Sequence, residues 1–435
     1  AMSSLSERLS GSPSTTGTPI SAGIAKMFVF DTELGNTEAT EEEKILFYFP
    51  ASTSLSQQMS DIGLAEAMIN FSQTFAADQP VRGVHTEKHR QVFTKPHGTV
   101  WFSLVVRNPR TTGRDGDHYH EEELHDSFLI SILKDAYRLF TLFHGEIDTL
   151  VAGCGVAGLR HKLSLLLPSF IASYPPIPKL DLSHILAGVR YFPVDRLTFL
   201  SLQSFHHLIH HDFSSLQSGI CLFDDLLVWC SLSNQHDTSV LYQYLVNQVV
   251  HPSQSKDKDD GRPKPLPPAK DPDSPPIFAP YNKVWILPLG LSSFSPLQLG
   301  SIAARIPIVH IEKGTQRCHM VVFKHERLTW AFMLSESESL GSNFLPHFSS
   351  FISNQVRAFE QTLQTLDSRS LHSDEPYRYL YFNHMNLALK DSLRTGGKGV
   401  SISPEVSSIL MEMHVALTGG TEGVCGADMR PPAAA

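Results

Sequence analysis

The segments KILFYFP (Lys44–Pro50) and DIGLAEAMINFSQTF (Asp61–Phe75) decide the fold. The first is a run of apolar and aromatic residues that stops at a proline, which predicts a β-strand over residues 45–49. The second repeats apolar residues at helical spacing, and together with the residues before it predicts an α-helix over residues 55–75. A strand followed by a helix of this length indicates a mixed α/β (α+β) fold.

The pattern extends in both directions from these two segments. An earlier predicted strand, MFVF (27–30), is joined to the strand at 45–49 by an acidic loop. Three more strands form a predicted meander that ends at Pro109, namely VRGVHT (81–86), RQVFT (90–94) and TVWFSLVVRNP (99–109). Further helices are predicted over His120–His144 and from about Leu159 to Ala172. The order is therefore two strands, a helix, three strands and a helix.

That order recurs in the second half of the chain. A hairpin around Asp224 and Asp225 is followed by a helical stretch at 238–250 and a closing helix at Phe344–Leu366. The strands predicted between these helices are KVWILPLGL (283–291), IPIVHI (306–311), CHMVVFK (318–324) and LTWAFML (328–334). A last strand pair, YRYLYFNHMNLALKD (377–391), begins a third unit that the remaining residues do not complete.

The bulk composition excludes several classes of protein. The 435 residues suffice for two or three domains, and the net charge of −9 disfavours nucleic acid as a partner. The five cysteines form no C-x-x-C pair, which favours reduced cytosolic thiols. The Ser-rich start lacks the apolar segment of a secretory signal, and without a run of eighteen apolar residues we expect no membrane span.

A glycine motif resembles a dinucleotide site but favours another interpretation. Gly153, Gly155 and Gly158 spell G-x-G-x-x-G, and the preceding IDTLVA could form a short strand. Prolines at 175, 176 and 178 interrupt the segment where the next strand of such a fold should lie. We therefore interpret the motif as a linker and helix start. The chain also lacks a P-loop and a G-x-S-x-G motif, so we expect no cofactor and no covalent chemistry.

Two histidine motifs invite a metal interpretation that the spacing disfavours. The terminal histidines of HEEELH (His120–His125) are five residues apart, whereas a shared helix face needs four. In FHHLIHH (205–211) the spacing is four, but no carboxylate or cysteine stands at a matching helical position. We expect a solvated or interfacial histidine face and no metal. RPKPLPP (262–268) has the spacing of a ligand for an SH3-type groove, but a linker is the simpler interpretation.

The helix at 55–75 has two apolar faces. At 100° per residue, Leu64, Met68, Phe71 and Phe75 lie on one face, and Leu55, Met59, Ile62 and Ile69 lie on the opposite one. A helix that covers one side of a sheet needs a single apolar stripe. The second stripe therefore predicts a surface for a partner, unless the second domain of the same chain covers it.

Several long blocks resemble one family at the same order and spacing. They are TEEEKILFYFP (40–50), DIGLAEAMINFSQTF (61–75), VHTEKHRQVF (84–93), TVWFSLVVRNP (99–109), EEELHDSFL (121–129) and YFNHMNLALK (381–390). Together they resemble the Ccz-type subunit of the Mon–Ccz vacuolar fusion complex, from about Lys26 to Lys390. The resemblance implies tandem longin domains, each with a five-stranded, mainly antiparallel sheet flanked by helices.

With this resemblance, the chain divides into a disordered start, two longin domains, part of a third and a disordered tail. The ranges are 1–23, 24–175, 188–366 with a Pro-rich disordered insert at 252–280, 376–417 and 418–435. The family's third domain continues well past the last strand pair, so its folding here is in question. Carry-over from the family indicates candidate contacts with a partner or GTPase on the first helix and the next strand, namely Met59, Ile62, Glu66, Ile69, Asn70, His85, Thr86, Lys88 and Arg90.

The resemblance implies a function without covalent catalysis. A Mon-type longin subunit would be the obligate partner, and the pair would expel GDP from a Rab-seven-type GTPase by stabilising its nucleotide-free state. We expect action in vesicle trafficking, fusion and autophagy, and a peripheral position on late endosomes and vacuoles or lysosomes through anionic or phosphoinositide lipids. The alternative is a longin scaffold or tether that recruits partners without promoting nucleotide exchange.

Overall fold

The computed structural model describes most of residues 18–391. The described residues are 18–35, 37, 40–75, 81–113, 116–120, 124, 126–173, 186, 188–250, 286–287, 300, 303, 306–312, 314–338, 340, 343–370, 379–383, 385–391, 409 and 413. The chain divides into two compact units. The first contains the described residues up to Leu133 together with 409 and 413, and the second contains those from Lys134 to Asp391. The predicted Pro-rich insert and the tail from 418 lie outside the described residues.

The first unit is built on a five-stranded antiparallel sheet in the order β3-β2-β6-β5-β4. Its strands are β2 (Gly23–Asp31), β3 (Ile45–Phe49), β4 (Gly83–His85), β5 (His89–His97) and β6 (Val100–Arg107). A small second sheet joins β1 (Thr18–Ile20), β7 (Arg110–Gly113) and β8 (Gly116–Tyr119). Residues 18–20 form β1, although the chain up to residue 23 was predicted to be disordered.

The helix α1 (Leu55–Phe75) covers one face of the five-stranded sheet. Successive side chains of a strand point to opposite faces, so Phe28 and Phe30 face α1 while Met27 and Val29 face away from it. All four are fully buried, which shows that both faces of β2 are covered. The predicted bounds of β3 and α1 are confirmed.

The helices α2 (Asp126–His144) and α3 (Ile147–Ser173) both differ from prediction. The structure begins α2 six residues later than predicted, and the three glutamates of the predicted first turn lie outside the described residues. The IDTLVA segment is helical rather than a strand, and α3 begins about one dozen residues before the predicted Leu159. Gly155 interrupts α3 with a φ of 69°, a conformation that glycine adopts without a steric penalty.

The second unit repeats the topology of the first. Its sheet has the order β11-β10-β15-β14, and β13 pairs antiparallel with β14, which matches strand for strand the order of the first sheet. The strands are β10 (Leu216–Phe223), β11 (Leu226–Cys230), β12 (Ile286–Leu287), β13 (Ile308–Ile311), β14 (Gln316–His325) and β15 (Leu328–Ser335), and β12 adds to β14 in parallel. The predicted hairpin at Asp224 and Asp225 is confirmed, with Asp224 at a φ of 51°.

Three helices complete the second repeat. They are α4 (Arg196–Asp212), α5 (Gln235–Leu245) and α6 (Phe344–Ser370). The helix α5 occupies the position in chain order that α1 has in the first repeat, and a short π-helical turn extends it to Val250. Side chains of α4 and α6 form one apolar core with β10, β14 and β15, in which the Phe205 ring meets the Trp330 ring edge to face at 5.8 Å.

The last strand pair attaches to the second unit. The strands β16 (Leu380–Asn383) and β17 (Ala388–Asp391) form the predicted antiparallel pair. The strand β9 (Val189–Arg190) pairs with β17 in parallel, and the next residue, Tyr191, bridges Leu227 in β11. The pair is therefore linked to the second sheet through β9. Within the predicted third domain at 376–417, the described residues are 379–383, 385–391, 409 and 413.

One helix is long and apolar enough to cross a membrane by length and composition, although no span was expected. It is Ile147–Ala172 in α3, with a mean hydropathy of 1.3. Arg160 and Lys162 lie near its middle, where each would cost about 2.5–3.5 kcal/mol in a bilayer. Leu159 and Leu163 are at most 1% exposed. Packing within the protein accounts for part of the apolar character of this helix, because 28% of the window is buried.

Candidate functional site

The candidate site is the outward apolar stripe of α1, which we define as Leu64, Met68, Phe71 and Phe75. Their exposed fractions are 55%, 36%, 64% and 77%. On the other face, Ile62, Ala65 and Ile69 are each 2% exposed and pack against Phe28, Phe30 and Trp101. The predicted stripe of Leu64, Met68, Phe71 and Phe75 therefore lies in solvent. Of the opposite predicted stripe, Ile62 and Ile69 lie in the core and Met59 is half-buried, whereas Leu55 in the first turn is 48% exposed.

The exposed stripe is a continuous apolar surface at the C-terminal half of α1. The rings of Phe71 and Phe75 meet edge to face, with centroids 4.9 Å apart. The hydroxyl groups of Ser72 and Thr74 donate to helix carbonyl oxygens at 2.8 and 2.6 Å, so they are engaged with the helix itself. Contiguous exposed aromatic and aliphatic side chains are typical of protein interaction sites.

Two polar anchors fix the rotation of α1 on the sheet. The Asp61 carboxylate accepts hydrogen bonds from Lys26 Nζ at 2.6 Å, from the Tyr48 hydroxyl and from Gln57 Nε2 at 3.1 Å. Lys44, directly before β3, donates from its Nζ to Glu66 Oε2 at 2.7 Å. Because these contacts join two points along α1 to the sheet, they determine which apolar stripe faces outward.

The electrostatics of the Asp61 anchor follow from its contacts. Burial alone raises the pKa of Asp61, but the hydrogen bonds from Lys26, Tyr48 and Gln57 outweigh it and hold the pKa below its ordinary value. Burial and the neighbouring Asp61 carboxylate raise the pKa of the Tyr48 hydroxyl. At neutral pH the anchor therefore consists of an ionised carboxylate held by one cation and two neutral donors.

The structure separates the predicted contact residues of α1 into two groups. Ile62 and Ile69 lie in the core of the first unit, and Met59 is half-buried. Asn70 is exposed, and Glu66 is half-buried in its ion pair with Lys44. Of these five residues, only Asn70 and Glu66 present polar groups near the surface. The apolar side chains that α1 offers to solvent are those of the other stripe.

The remaining predicted residues surround the turn between β4 and β5. His85 Nε2 lies 2.8 Å from the Asp126 carboxylate at the start of α2, and Arg90 Nη1 lies 3.5 Å from the same group. Arg90 is 8% exposed, whereas Thr86 and Lys88 are exposed. The structure thus groups His85, Thr86 and Lys88 at one exposed corner and places Arg90 beneath them.

Asn108 holds this turn in one conformation. Its Nδ2 donates to the carbonyl oxygens of Thr86 and Glu87 at 3.0 and 2.8 Å, and its backbone N–H donates to Lys88 at 2.9 Å. Thr86 closes the turn with a hydroxyl bond of 2.7 Å to the His89 carbonyl oxygen. The sequence analysis missed Asn108, and its position directly before Pro109 was the available signal.

The other motifs do not form a second site. His206 is buried against the Trp229 ring at 4.7 Å, and burial lowers its pKa to about 4. His207, His210 and His211 are exposed on α4. Within the described residues, no group of three or more His, Cys, Asp or Glu side chains could hold a metal ion. The three glycines of G-x-G-x-x-G lie inside α3, and the residues directly before them are helical from Ile147.

Comparisons with known proteins agree with this architecture. Residues 24–145 match the family model described as the first longin domain of INTU, CCZ1 and HPS4. The chain is 29% identical over 401 residues to a protein of Nematostella vectensis named vacuolar fusion protein CCZ1 homolog. The alignment covers 89% of this chain and 83% of that protein. Proteins of the same name from Xenopus laevis and Dictyostelium discoideum are 28% and 27% identical, over 90% of this chain and 83% and 84% of their own lengths. Residues 24–145 are therefore similar to the first longin domain of INTU, CCZ1 and HPS4, and the chain over about 90% of its length is similar to the proteins named vacuolar fusion protein CCZ1 homolog.

Proposed function

We propose that this chain is the Ccz-type subunit of a heterodimeric guanine nucleotide exchange factor. With a Mon-type longin subunit, it activates a Rab-seven-type GTPase on late endosomes and vacuoles. The names of the similar proteins support a role in vacuolar fusion, and no covalent step is required of the chain. Exchange follows when the complex binds the nucleotide-free GTPase more tightly than the GDP-bound form, which shifts the population toward release.

The single observation that carries the proposal is the exposed stripe of α1. Four large apolar side chains in contact with water are costly unless a partner covers them. The equivalent helix of the second repeat provides the comparison. Among residues 235–250, all of which the structure describes, no large apolar side chain is exposed, and Tyr244 packs on Phe143 at 4.9 Å. We infer that the stripe on α1 is covered in the same way by the partner longin subunit.

The polar residues around the stripe have a supporting role in the proposal. Glu66, Asn70, His85, Thr86 and Lys88 remain the candidates for direct contact with the partner or the GTPase. Met59, Ile62, Ile69 and Arg90 act through the fold, because they hold α1 and the β4–β5 turn in position. Anionic or phosphoinositide lipids would hold the assembled complex at the membrane surface.

The test is release of a fluorescent GDP analogue from a Rab-seven-type GTPase. We expect acceleration by the co-expressed pair of subunits and none by either subunit alone. Met68→Asp together with Phe71→Asp should prevent assembly of the pair and abolish the acceleration, because two buried, unpaired carboxylates oppose the apolar contact. Leu165→Asp on α3, at a side chain that is 43% exposed, is the matched control.

The same experiment separates exchange from the scaffold alternative. A well-formed pair that leaves GDP release unchanged, while still binding the GTPase, would show a tether without exchange activity. Assembly that survives the double substitution would refute the assignment of the stripe to the partner.

A further inference from the structure

A threonine directly precedes three glutamates in the loop between β2 and β3. The sequence Thr40-Glu41-Glu42-Glu43 places a carboxylate at each of the three positions after the Thr40 hydroxyl. The three glutamates are exposed. Thr40 is half-buried, and its hydroxyl contacts the hydroxyl of the exposed Thr37 at 2.7 Å. A hydroxyl followed by carboxylates is the substrate pattern of acidophilic protein kinases, which bind those carboxylates through basic side chains.

This segment can open for a kinase without loss of core packing. Residues Glu41–Lys44 form one turn of 3-10 helix, and none of them is buried. The Thr40 carbonyl oxygen accepts from the Glu43 N–H at 2.8 Å, but the Thr40 side chain makes no capping bond to the turn. Short segments with few buried contacts open at a low cost in free energy. Thr40 can therefore adopt the extended conformation that a kinase active site binds.

Lys44 connects this loop to α1. Its Nζ donates to Glu66 Oε2 at 2.7 Å, and the two side chains are 18% and 22% exposed. The same lysine lies next to Thr40, because a Cβ added at Gly35 would lie 2.5 Å from the Thr40 carbonyl oxygen and 3.0 Å from Lys44 Cγ. The ion pair that holds the middle of α1 therefore begins beside the residue that carries the hydroxyl.

A phosphate on Thr40 would compete with Glu66 for this lysine. Phosphothreonine carries a charge of about −1.5 to −2 at neutral pH and forms charge-assisted hydrogen bonds with nearby cations. The adjacent glutamates repel the phosphate, whereas Lys44 attracts it. When Lys44 turns to the phosphate, the partly buried Glu66 carboxylate loses its cation. One of the two anchors that hold α1 on the sheet is thereby weakened.

We propose that Thr40 is a phosphorylation site for an acidophilic protein kinase, and that the modification loosens α1 by drawing Lys44 away from Glu66. The kinase transfers the γ-phosphoryl group of ATP to Thr40 Oγ1. A P–O bond forms at Oγ1 as the bond to the leaving ADP breaks, and the hydroxyl proton passes to a base of the kinase. The inference concerns the chain by itself and does not depend on the proposed function.

The test is treatment of the full chain with casein kinase 2, ATP and Mg²⁺, followed by mass spectrometry and hydrogen–deuterium exchange. We expect phosphate on Thr40 and about two- to fivefold faster amide exchange in α1 around Glu66, which is the range that a partly exposed ion pair supports. Exchange in α6 should not change. Glu43→Gln should slow incorporation about tenfold or more, because it removes a charged contact with the kinase. Glu33→Gln in the same loop is the matched control and should leave the rate unchanged.

Lys44→Met tests the coupling to α1. In this variant the ion pair is absent from the start, so phosphorylation should cause no further change in the exchange of α1. Glu66→Gln provides the same comparison from the side of the helix. A chain that incorporates no phosphate on Thr40 would overturn the assignment of the site.

The coupling has its own refutation. It is overturned if exchange in α1 is unchanged after modification of Thr40, or if exchange rises equally in the chain with Lys44→Met. Failure of the two subunits to accelerate GDP release would refute the proposed function and leave these outcomes unaffected.

Discussion

Two neighbouring substitutions in α1, Ile69→Ala and Phe71→Ala, should separate folding from binding. Ile69 is 2% exposed within the core of the first unit, so its truncation leaves a cavity and should lower the free energy of unfolding by about 2–5 kcal/mol. Phe71 is 64% exposed. Its truncation removes no core contact and should change that free energy by no more than about 0.5 kcal/mol.

The effects on partner binding should be reversed. Truncation of an aromatic side chain at the centre of a protein interface reduces the binding free energy by about 2 kcal/mol or more, which corresponds to roughly a 30-fold weaker Kd. Phe71→Ala should therefore weaken association with the longin partner by about that factor. Ile69→Ala leaves the outward stripe unchanged, so molecules that remain folded should bind with the original Kd.

Urea denaturation followed by circular dichroism measures the first quantity, and biolayer interferometry against the immobilised partner subunit measures the second. Leu165→Ala is the matched control, because this side chain is exposed on α3 outside the stripe. The reasoning is refuted if Phe71→Ala destabilises the chain as strongly as Ile69→Ala. It is also refuted if Phe71→Ala leaves Kd within about twofold of the unmodified value while the control behaves identically.

Three further substitutions test the polar contacts. Glu360→Ala should lower the free energy of unfolding by about 1–3 kcal/mol, because the 2%-exposed carboxylate contacts His325 and accepts a hydrogen bond from the Arg327 backbone N–H, and an unchanged urea midpoint would contradict this. Burial lowers the pKa of His144 from its ordinary value of 6.5 to about 3. Between these two pH values the unfolded state binds more protons than the folded state, so the free energy of unfolding should fall as the pH is lowered from 6.5 to 3. His144→Phe should flatten that pH dependence in denaturation measured at several pH values, and an unchanged slope would exclude His144 as its source. Asp61→Asn should destabilise the first unit at neutral pH, and the difference should fade as the pH falls below 3.8 through the lowered pKa of Asp61, whereas a constant difference would show that its charge is irrelevant.

The main elements of both repeats could be predicted because their signals are local. Runs of apolar and aromatic residues mark the main strands of both sheets, and the bounds of α1 follow from its spacing and from Pro50 before it. The start of α2 could not be predicted in the same way. Its first residue, Asp126, is held by His85 and Arg90 across about 40 residues of sequence, and a helix-propensity argument contains no such contact. The acidic residues before it suggested an earlier start.

The glycine motif shows a second limit of sequence reasoning. Three glycines within six residues usually indicate a loop, yet α3 continues on both sides of Gly155. A single residue at positive φ allows the chain to change direction without ending the helix. Glycines are common both in linkers and at such a break, so the pattern alone does not distinguish an interrupted helix from a linker.

For the candidate site, the sequence predicted that α1 has two apolar faces but not which one is exposed. Both stripes contain four large apolar residues at similar spacing. The choice depends on the ion pair of Lys44 with Glu66 and on the contacts of Asp61, which are long-range. The sequence contained one hint, because the small Ala65 lies beside Ile62 and Ile69 and allows the helix to approach the sheet closely. The identity of the partner rests on family likeness and on the proposed experiments.

The difference between α1 and α5 bears on how many partners the two repeats would bind through these helices. Two repeats with equally open helices would each recruit a partner, and a partner that also carried two such faces would link chains into open-ended polymers. The contact of Tyr244 with Phe143 closes the second repeat within the same polypeptide. Of these two equivalent helices, α1 alone leaves an apolar stripe open. On the proposed function, the two equivalent positions would therefore bind one longin partner rather than two.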